Sequence, residues 1–366
     1  MIIVGLLVPS FPLNLMETKA FLFFKKRKEE RSMMNNSRFM KLFLTLILAL
    51  VVGLAACGSD EEENGVDEVG EDVTEQQEND DSGEEESEES SEGEFEAVTI
   101  VDKTDTEVTI EEKPERIIST VASSTEIVFA VGAGDRVVGV TEWDNYPEEV
   151  FDIEKIGDMN LNIEKIVELE PDLVVSDLLN AQDVDALRNA GLTVVVLGAQ
   201  SLEEVYEDIE LVGKATGEVE TASEVINDMK ETVDHVTETV SSLSEEEKKT
   251  AWLEIDPELF SAAQGSFLHE LLTLAGGKNI IEEMEGWPQI SEEIVIERDP
   301  DVIITTYGDY VEDPVNTVLS RESWSQITAV ENEHVIDIDS DILSRAGPRL
   351  VDGLMELAKA LYPDLF

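Results

Sequence analysis

Few residues of this chain have the chemistry for catalysis or for holding a metal. Cys57 is the only cysteine, which excludes a disulfide within the chain and a metal site built on cysteines. The three histidines, His235, His269 and His334, lie far apart in sequence and form no pair at helical spacing. We therefore expect no metal site and no bound cofactor.

The motifs of enzyme chemistry are also missing from the sequence. It contains no Gly-rich phosphate-binding loop and no nucleophile elbow. Its 84 Asp and Glu residues are so many that pairs resembling the acid and base of a hydrolase arise by chance. An exported hydrolase stays open as an alternative, but these observations predict that the chain is not an enzyme.

The surroundings of Cys57 predict a different chemistry, the attachment of a lipid. Met40 and Lys41 precede an apolar run, Leu42–Leu54, that is short for a membrane span. A basic start, an apolar stretch and small residues before the cut describe an export signal. The ending Leu54-Ala55-Ala56-Cys57 resembles the bacterial lipobox, in which the cysteine is lipidated and becomes the first mature residue. The alternative is a thiol buried in a hydrophobic helix.

Residues 1–57 are therefore predicted to be a leader with a lipoprotein signal peptide. The leader is unusually long, which makes Met33, Met34 or Met40 a more plausible start of translation than Met1. An additional amphipathic segment over Met1–Ser32 is the alternative. A lipid on Cys57 would hold the protein on the extracytoplasmic face of the cell membrane.

Residues 58–96 are predicted to be a disordered acidic tether. Asp and Glu dominate this stretch, Lys and Arg are absent, and Phe95 is almost its only large apolar residue, so it cannot bury enough surface to order itself. The formal net charge of the whole chain is -59. Such a charge argues against binding nucleic acid and against a polybasic membrane surface.

Beyond the tether, short β-rich runs alternate with helical stretches, which indicates an α/β fold with parallel sheets. In the first half, a hydroxyl cap at Ser123–Thr125 is expected before a helix at Glu126–Val131. The other predicted elements there are strands at Arg116–Thr120, Val137–Thr141, Asp172–Ser176 and Thr193–Leu197, and helices at Asn162–Leu169 and Val184–Ala190.

A continuous apolar periodicity then predicts one long helix, Glu218–Leu243, without Gly or Pro. A second series follows it, with strands at Ala251–Ile255, Ile280–Ile281, Val302–Thr306 and Val335–Ile338, and helices at Ser266–Ala275, Ser291–Glu297 and Pro348–Leu361. The prediction is therefore two α/β lobes, residues 97–216 and 246–366, each a small parallel sheet with flanking helices. One long rigid helix within residues 217–245 joins them, and the ligand should bind between the lobes.

Nearly all of the chain from Pro114 onward resembles the substrate-binding proteins of bacterial ABC importers that take up cobalamin and iron-siderophore complexes. Each matching stretch is weak alone, but their common order is specific. The stretches are Arg116-Ile117-Ile118-Ser119 with Ser124-Thr125-Glu126, Gly139-Val140-Thr141 leading to Tyr146-Pro147, Asn162–Ile166 through Glu170–Val174, Glu270–Leu272 with Ala275–Ile280, and Gly286–Ser291. The resemblance implies a class III periplasmic-binding-protein-like arrangement that closes only modestly on its ligand.

The sequence is most similar to the cobalamin-binding branch of that family. The branch implies ligand contacts from Trp143 in the first lobe, from Trp287, and from the second-lobe run Asp341-Ile342-Leu343-Ser344-Arg345. Ser123 and Ser124 join this set of candidates. Ile342, Leu343 and Ser344 depart from the aromatic and acidic residues of the branch, so the ligand stays open at this point.

Two kinds of ligand fit these residues differently. A corrinoid is large, flat and mostly neutral, and Trp143 and Trp287 would offer it apolar platforms, unless these rings merely cover the core. An anionic catecholate siderophore needs an Arg and Lys cluster, and only Arg345 has a strong position for it, unless it simply pairs with Asp341. A neutral ferric hydroxamate is the remaining alternative.

The resemblance also implies docking to the permease of the importer through an acidic residue on each lobe. Asp183 in the first lobe and Glu322 in the second lie in the matching regions, although any exposed carboxylate here can be merely solvated. The expected partners are thus a small-molecule ligand, an ABC permease and, through the lipid, a membrane. The protein itself is expected to act as a monomer.

Overall fold

The computed structural model describes residues 95–158 and 160–366. The predicted leader, Cys57 and nearly all of the predicted tether lie outside these residues. The ring of Phe95 packs on Gly217 and on the core. None of the helices in the described part is both long and apolar enough to cross a membrane.

The first described element is an antiparallel hairpin that was not predicted, β1 Val98–Val101 and β2 Glu107–Ile110. Between its strands, the buried Asp102 accepts hydrogen bonds from Val196 N at 3.1 Å and from Arg188 Nη2 at 2.6 Å. These bonds fix the hairpin to the first lobe. The alternation of exposed and buried residues in β2 was the available signal.

The first lobe contains a parallel sheet in the order β4-β3-β5-β6. Its strands consist almost entirely of buried residues, as expected for a sheet covered on both faces. They are β3 Ile117–Ser119, β4 Val137–Gly139, β5 Leu173–Asp177 and β6 Val194–Leu197, and the helices are α1 Ala122–Ala130, α2 Ile163–Glu168, α3 Ala181–Asn189 and α4 Leu202–Thr216. Single 3-10 turns occupy Gly134–Arg136, Glu148–Asp152 and Leu178–Asn180.

The predicted cap of α1 is wrong. The helix begins at Ala122, and its N-cap, Val121, makes no side-chain cap bond. Thr125 lies inside the helix and donates to Ser119 Oγ at 2.8 Å and to Val121 O at 3.1 Å. Hydroxyl side chains can bond the carbonyl one turn back as well as cap a helix, and here that alternative is used.

Helix α4 of the first lobe packs against the long helix α5, Val219–Val240, which joins the two lobes. Gly217 ends α4 in the left-handed conformation, with φ 78°. Gly213 lets the helices meet, because a Cβ there would lie 2.4 Å from the Cβ of Ala222. Helix α5 ends three residues before the predicted position.

The second lobe repeats the plan with a parallel sheet in the order β10-β9-β7-β8. Its strands are β7 Thr250–Glu254, β8 Lys278–Asn279, β9 Val302–Thr305 and β10 Val335–Asp337. Its helices are α6 Phe267–Leu274, α7 Glu292–Arg298, α8 Pro314–Leu319, α9 Thr328–Glu331, α10 Ser340–Ser344 and α11 Leu350–Leu361, with a 3-10 turn at Glu322–Trp324. The predicted strand Ile280–Ile281 is wrong, because pairing with β7 ends at Asn279 and the two isoleucines are buried beyond it.

The core explains how the lobes are held together. One large cluster of buried apolar residues runs from Ile117 of the first sheet through Val236 of α5 to Leu253 of the second sheet and Leu357 of α11. Each lobe also has its own smaller cluster. The fold is thus α/β, with two lobes that share one core along the long helix.

Candidate ligand-binding site

The carboxyl ends of parallel strands form one edge of each sheet, and ligands of open α/β sheets bind there. In the first lobe, the turn after β4 carries Trp143, Asn145 and Tyr146, and the 3-10 turn after β5 carries Leu178 and Leu179. Trp143 is half-buried, and the other four side chains are exposed. This edge therefore presents a mainly apolar and aromatic surface.

Hydrogen bonds to Asp144 stabilise the turn that carries Trp143. The buried Asp144 carboxylate accepts from Thr141 N at 2.8 Å and from Thr141 Oγ1 at 2.5 Å. Burial raises the pKa of Asp144 although both bonds oppose this shift. Trp143 N in turn donates to Thr141 Oγ1 at 3.2 Å, so the backbone of this turn is fixed.

The two candidate serines differ in their surroundings. Both lie in the first turn of α1, directly after β3. Ser123 is half-buried, whereas Ser124 is buried and its Oγ has no hydrogen-bond partner among the described residues. Buried polar atoms nearly always have a hydrogen-bond partner, so the Ser124 hydroxyl is an exception within this lobe.

Trp287 belongs to the corresponding edge of the second lobe. Its loop is fastened to the segment after β7 by Ser261 N donating to Pro288 O at 2.9 Å and Ala263 N donating to Gly286 O at 2.8 Å. The indole stays 38% exposed. Trp252, by contrast, is fully buried in β7 and belongs to the core.

The predicted contact run Asp341–Arg345 forms α10 and the residue after it, next to the carboxyl end of β10. Asp341 and Arg345 do pair, with Arg345 Nη2 donating to Asp341 Oδ2 at 2.9 Å. Ile342 and Ser344 are half-buried. Leu343 is fully buried in the core shared by the lobes, and we therefore leave it out of the proposed site.

A polar cluster connects the two edges, and we call its members Glu126, Asn145, Asp341, Arg345 and Arg349 the boundary cluster. Arg345 Nη1 donates to Glu126 Oε1 at 2.9 Å and to Asn145 Oδ1 at 2.7 Å. Arg349 donates to both oxygens of Glu126, from Nε at 2.9 Å and from Nη2 at 2.6 Å. Asn145 Nδ2 donates to Asp341 Oδ2 at 2.9 Å.

These bonds cross from one lobe to the other. Glu126 and Asn145 belong to the first lobe, and the other three members belong to the second. The Arg349 guanidinium also lies 4.1 Å from the centre of the Tyr146 ring, a cation-π contact between the lobes. These contacts of Glu126 were not predicted from the sequence, although an acidic residue directly before the apolar run Ile127–Ala130 was an available signal.

The histidines form no common site, since they lie on α5, on α6 and just before β10. Burial lowers the pKa of His269, whose Nδ1 lies 3.2 Å from Asn279 Nδ2. Carboxylate oxygens of Asp309, Asp339 and Asp341 lie within 4.8 Å of one another. Exposed acidic groups of this kind are common without a metal, and in so acidic a chain they are expected.

Residues 117–342 match the model of a family described as periplasmic binding protein, which covers more than half of the chain. The chain belongs to the periplasmic binding protein family. A relative in Bacillus subtilis, named uncharacterized ABC transporter substrate-binding lipoprotein YvrC, is 40% identical over 276 residues, or 74% of this chain and 87% of that protein. A vitamin B12-binding protein of Vibrio cholerae is 28% identical over 251 residues, or 68% of this chain and 89% of that protein.

Solved structures of this family have the same fold. The periplasmic vitamin B12-binding protein BtuF of Vibrio cholerae is 27% identical, with a TM-score of 0.60 over 69% of this chain and 98% of that one. A possible iron-binding, periplasmic solute-binding protein of Staphylococcus epidermidis is 30% identical, with a TM-score of 0.61 over 69% of this chain and 100% of that one.

The predicted family and fold class are thereby confirmed. This periplasmic binding protein is an ABC transporter substrate-binding protein. Members of the family bind solutes and are not enzymes, as the missing catalytic motifs predicted.

The predicted docking residues lie on different kinds of surface. Glu322 is exposed at the start of its 3-10 turn. Asp183, in the first turn of α3, is half-buried; burial raises its pKa, and a backbone hydrogen bond from Leu161 opposes the shift. Glu322 is thus open to a partner, whereas Asp183 is partly engaged within its own lobe.

Proposed function

We propose that this periplasmic binding protein captures cobalamin between its two lobes and delivers it to the permease of an ABC importer. The observation that carries the proposal is the composition of the sheet edges. Exposed or half-buried Trp143, Tyr146, Leu179 and Trp287 suit a wide, flat, mostly neutral ligand. The similarity to vitamin B12-binding proteins supports the same ligand.

Calorimetric titration of the full chain with cyanocobalamin and with a neutral ferric hydroxamate tests this proposal. We expect cyanocobalamin to bind at one site. Binding of the hydroxamate alone would overturn the assignment. It would favour the alternative, a ferric siderophore receptor, which is supported by the similarity to the possible iron-binding protein of Staphylococcus epidermidis.

We also propose that a lipid on Cys57 anchors the protein to the cell membrane on its extracytoplasmic face, with residues 58–96 as a tether. Support comes from the lipobox-like sequence and from the relative named a lipoprotein. The tether would keep the lobes near the permease at high effective concentration. Labelled palmitate should enter the wild-type chain but not Cys57→Ser, and equal labelling of both would contradict the anchor.

Glu322 and Asp183 are proposed to meet basic residues of the permease. Glu322→Lys should then lower cobalamin uptake by cells while the affinity of the purified chain for cobalamin stays the same. Glu297→Lys, which reverses another exposed acid of the second lobe, is the matched control. Equal uptake by both variants would remove Glu322 from the docking surface, and the same pair of assays applies to Asp183.

A further inference from the structure

Glu126 accepts hydrogen bonds from both arginines of the boundary cluster. The residue is only 3% exposed, and its two oxygens accept three hydrogen bonds from Arg345 and Arg349. Both arginines come from the other lobe, so the pairing exists only when the lobes have this relative arrangement. Charged hydrogen bonds of this kind are strong and directional.

The boundary cluster is electrically balanced. Glu126 and Asp341 supply two negative charges, and Arg345 and Arg349 supply two positive ones. Asp309 and Asp339, whose carboxylates lie close to that of Asp341, add further negative charge at the same edge. An approaching anion thus meets arginines that are already neutralised, and beside them an acidic surface.

We propose that Glu126 is a specificity-determining residue that makes the site between the lobes discriminate against anionic complexes. This inference rests on the proposed function and names the class of ligand that the site rejects. An anion that takes over the hydrogen bonds from these arginines to Glu126 would leave a buried carboxylate without its partners. A neutral ligand with amide or carbonyl oxygens leaves the ion pairs intact.

The test compares an anionic and a neutral probe on the full chain and on Glu126→Gln. The anionic probe is the ferric complex of a hexadentate tris-catecholate chelator, and the neutral one is cyanocobalamin. Quenching of tryptophan fluorescence gives both affinities. We expect the ratio of anionic to neutral affinity to rise about tenfold or more in Glu126→Gln. The gain should shrink at high salt, because it is electrostatic.

Asp352→Asn is the matched control, because Asp352 is an exposed carboxylate close enough to Arg349 to act on it through its charge. Asp352→Asn should leave the ratio of anionic to neutral affinity unchanged. The double variant Glu126→Gln with Arg349→Gln should lose most of the rise in this ratio that Glu126→Gln shows alone. If Glu126→Gln fails to fold, Glu126→Asp is measured in its place. Its shorter side chain cannot reach both arginines, so we expect a smaller rise in the ratio of anionic to neutral affinity.

Three results would overturn the inference: an unchanged ratio in the folded variant, tight tris-catecholate binding by the wild type, or the same gain in Asp352→Asn. Failure of the wild type to bind cyanocobalamin would overturn the proposed function instead. The tris-catecholate affinities of the wild type and the variants would still decide the role of Glu126.

Discussion

Glu126 and Glu254 are both buried carboxylates held by arginine, but they belong to different kinds of contact. Glu254 ends β7, and all its partners lie in its own lobe. It accepts from Trp252 Nε1 at 3.0 Å, from Tyr307 Oη at 2.5 Å, and from both Nη atoms of Arg321 at 2.7 and 2.6 Å. Glu126 has a similar bond set, but its donors come from the opposite lobe.

Because of this difference in partners, we expect Glu254 to contribute to stability and Glu126 to ligand selection. The Glu254 contacts persist whenever the second lobe is folded, and burial beside Glu254 raises the pKa of Tyr307, which keeps its hydroxyl protonated as a donor. The Glu126 contacts depend on the relative arrangement of the two lobes. A ligand that binds between the lobes changes the same arrangement. Changes at Glu254 should therefore appear in folding, and changes at Glu126 mainly in binding.

The largest expected effect is that of Glu254→Gln. The substitution leaves Arg321, whose side chain is 15% exposed and stacks over Trp324, without its counter-charge. The free energy of unfolding in urea should fall by about 3–5 kcal/mol, as for one partner removed from a buried ion pair. Glu258→Gln, an exposed carboxylate beyond the same strand, is the control. A loss below about 1 kcal/mol would show that Glu254 is not a stability determinant.

Trp287→Ala and Trp143→Ala should behave in the opposite way, with a loss in binding and little loss in folding. If the rings are platforms, each change should weaken cobalamin binding by about 1–3 kcal/mol. Ile296→Ala is the matched control for Trp287, because both side chains are 38% exposed but Ile296 lies on α7. Unchanged affinity after either tryptophan substitution would show that the ring in question does not contact cobalamin.

The same contrast explains what the sequence could predict. Runs such as Leu173–Ser176 and the periodicity of α5 gave the strands and the long helix, because burial imposes a local pattern on each element. The hairpin β1–β2 was missed because its strands are short and half exposed. The role of Glu126 was missed because its partners, Arg345 and Arg349, are distant in sequence, and no local pattern encodes a contact between lobes.

Glu126→Gln should destabilise the fold less than Glu254→Gln does. The side chains of Arg345 and Arg349 keep 17% and 18% of their surface exposed, so water can partly solvate them once the carboxylate is gone. We expect a loss of about 1–2 kcal/mol in the same urea titration. A loss equal to that of Glu254→Gln would mean that the boundary cluster is as much a part of the fold as the Glu254 contacts.

The smallest effect concerns a third carboxylate, Glu270 of α6, which also reaches across the lobes and accepts from Leu202 N at 3.1 Å. Burial, with a smaller contribution from nearby Glu204, raises the pKa of Glu270 against the opposing hydrogen bond. The stability that this group contributes is therefore present below the ordinary glutamate pKa of about 4.3 and is lost as pH rises through the raised value.

Glu270→Gln removes that dependence but keeps an oxygen that can accept from Leu202 N. The variant should be slightly more stable than the wild type at about pH 7, and the difference should vanish towards about pH 4, as measured by urea midpoints across this range. A variant that is less stable at about pH 7 would mean that the ionised carboxylate of Glu270 is favoured at this boundary. Unlike Glu126, Glu270 faces a backbone N–H and not a guanidinium, so it lacks the opposite charge that offsets the burial of a carboxylate between the lobes.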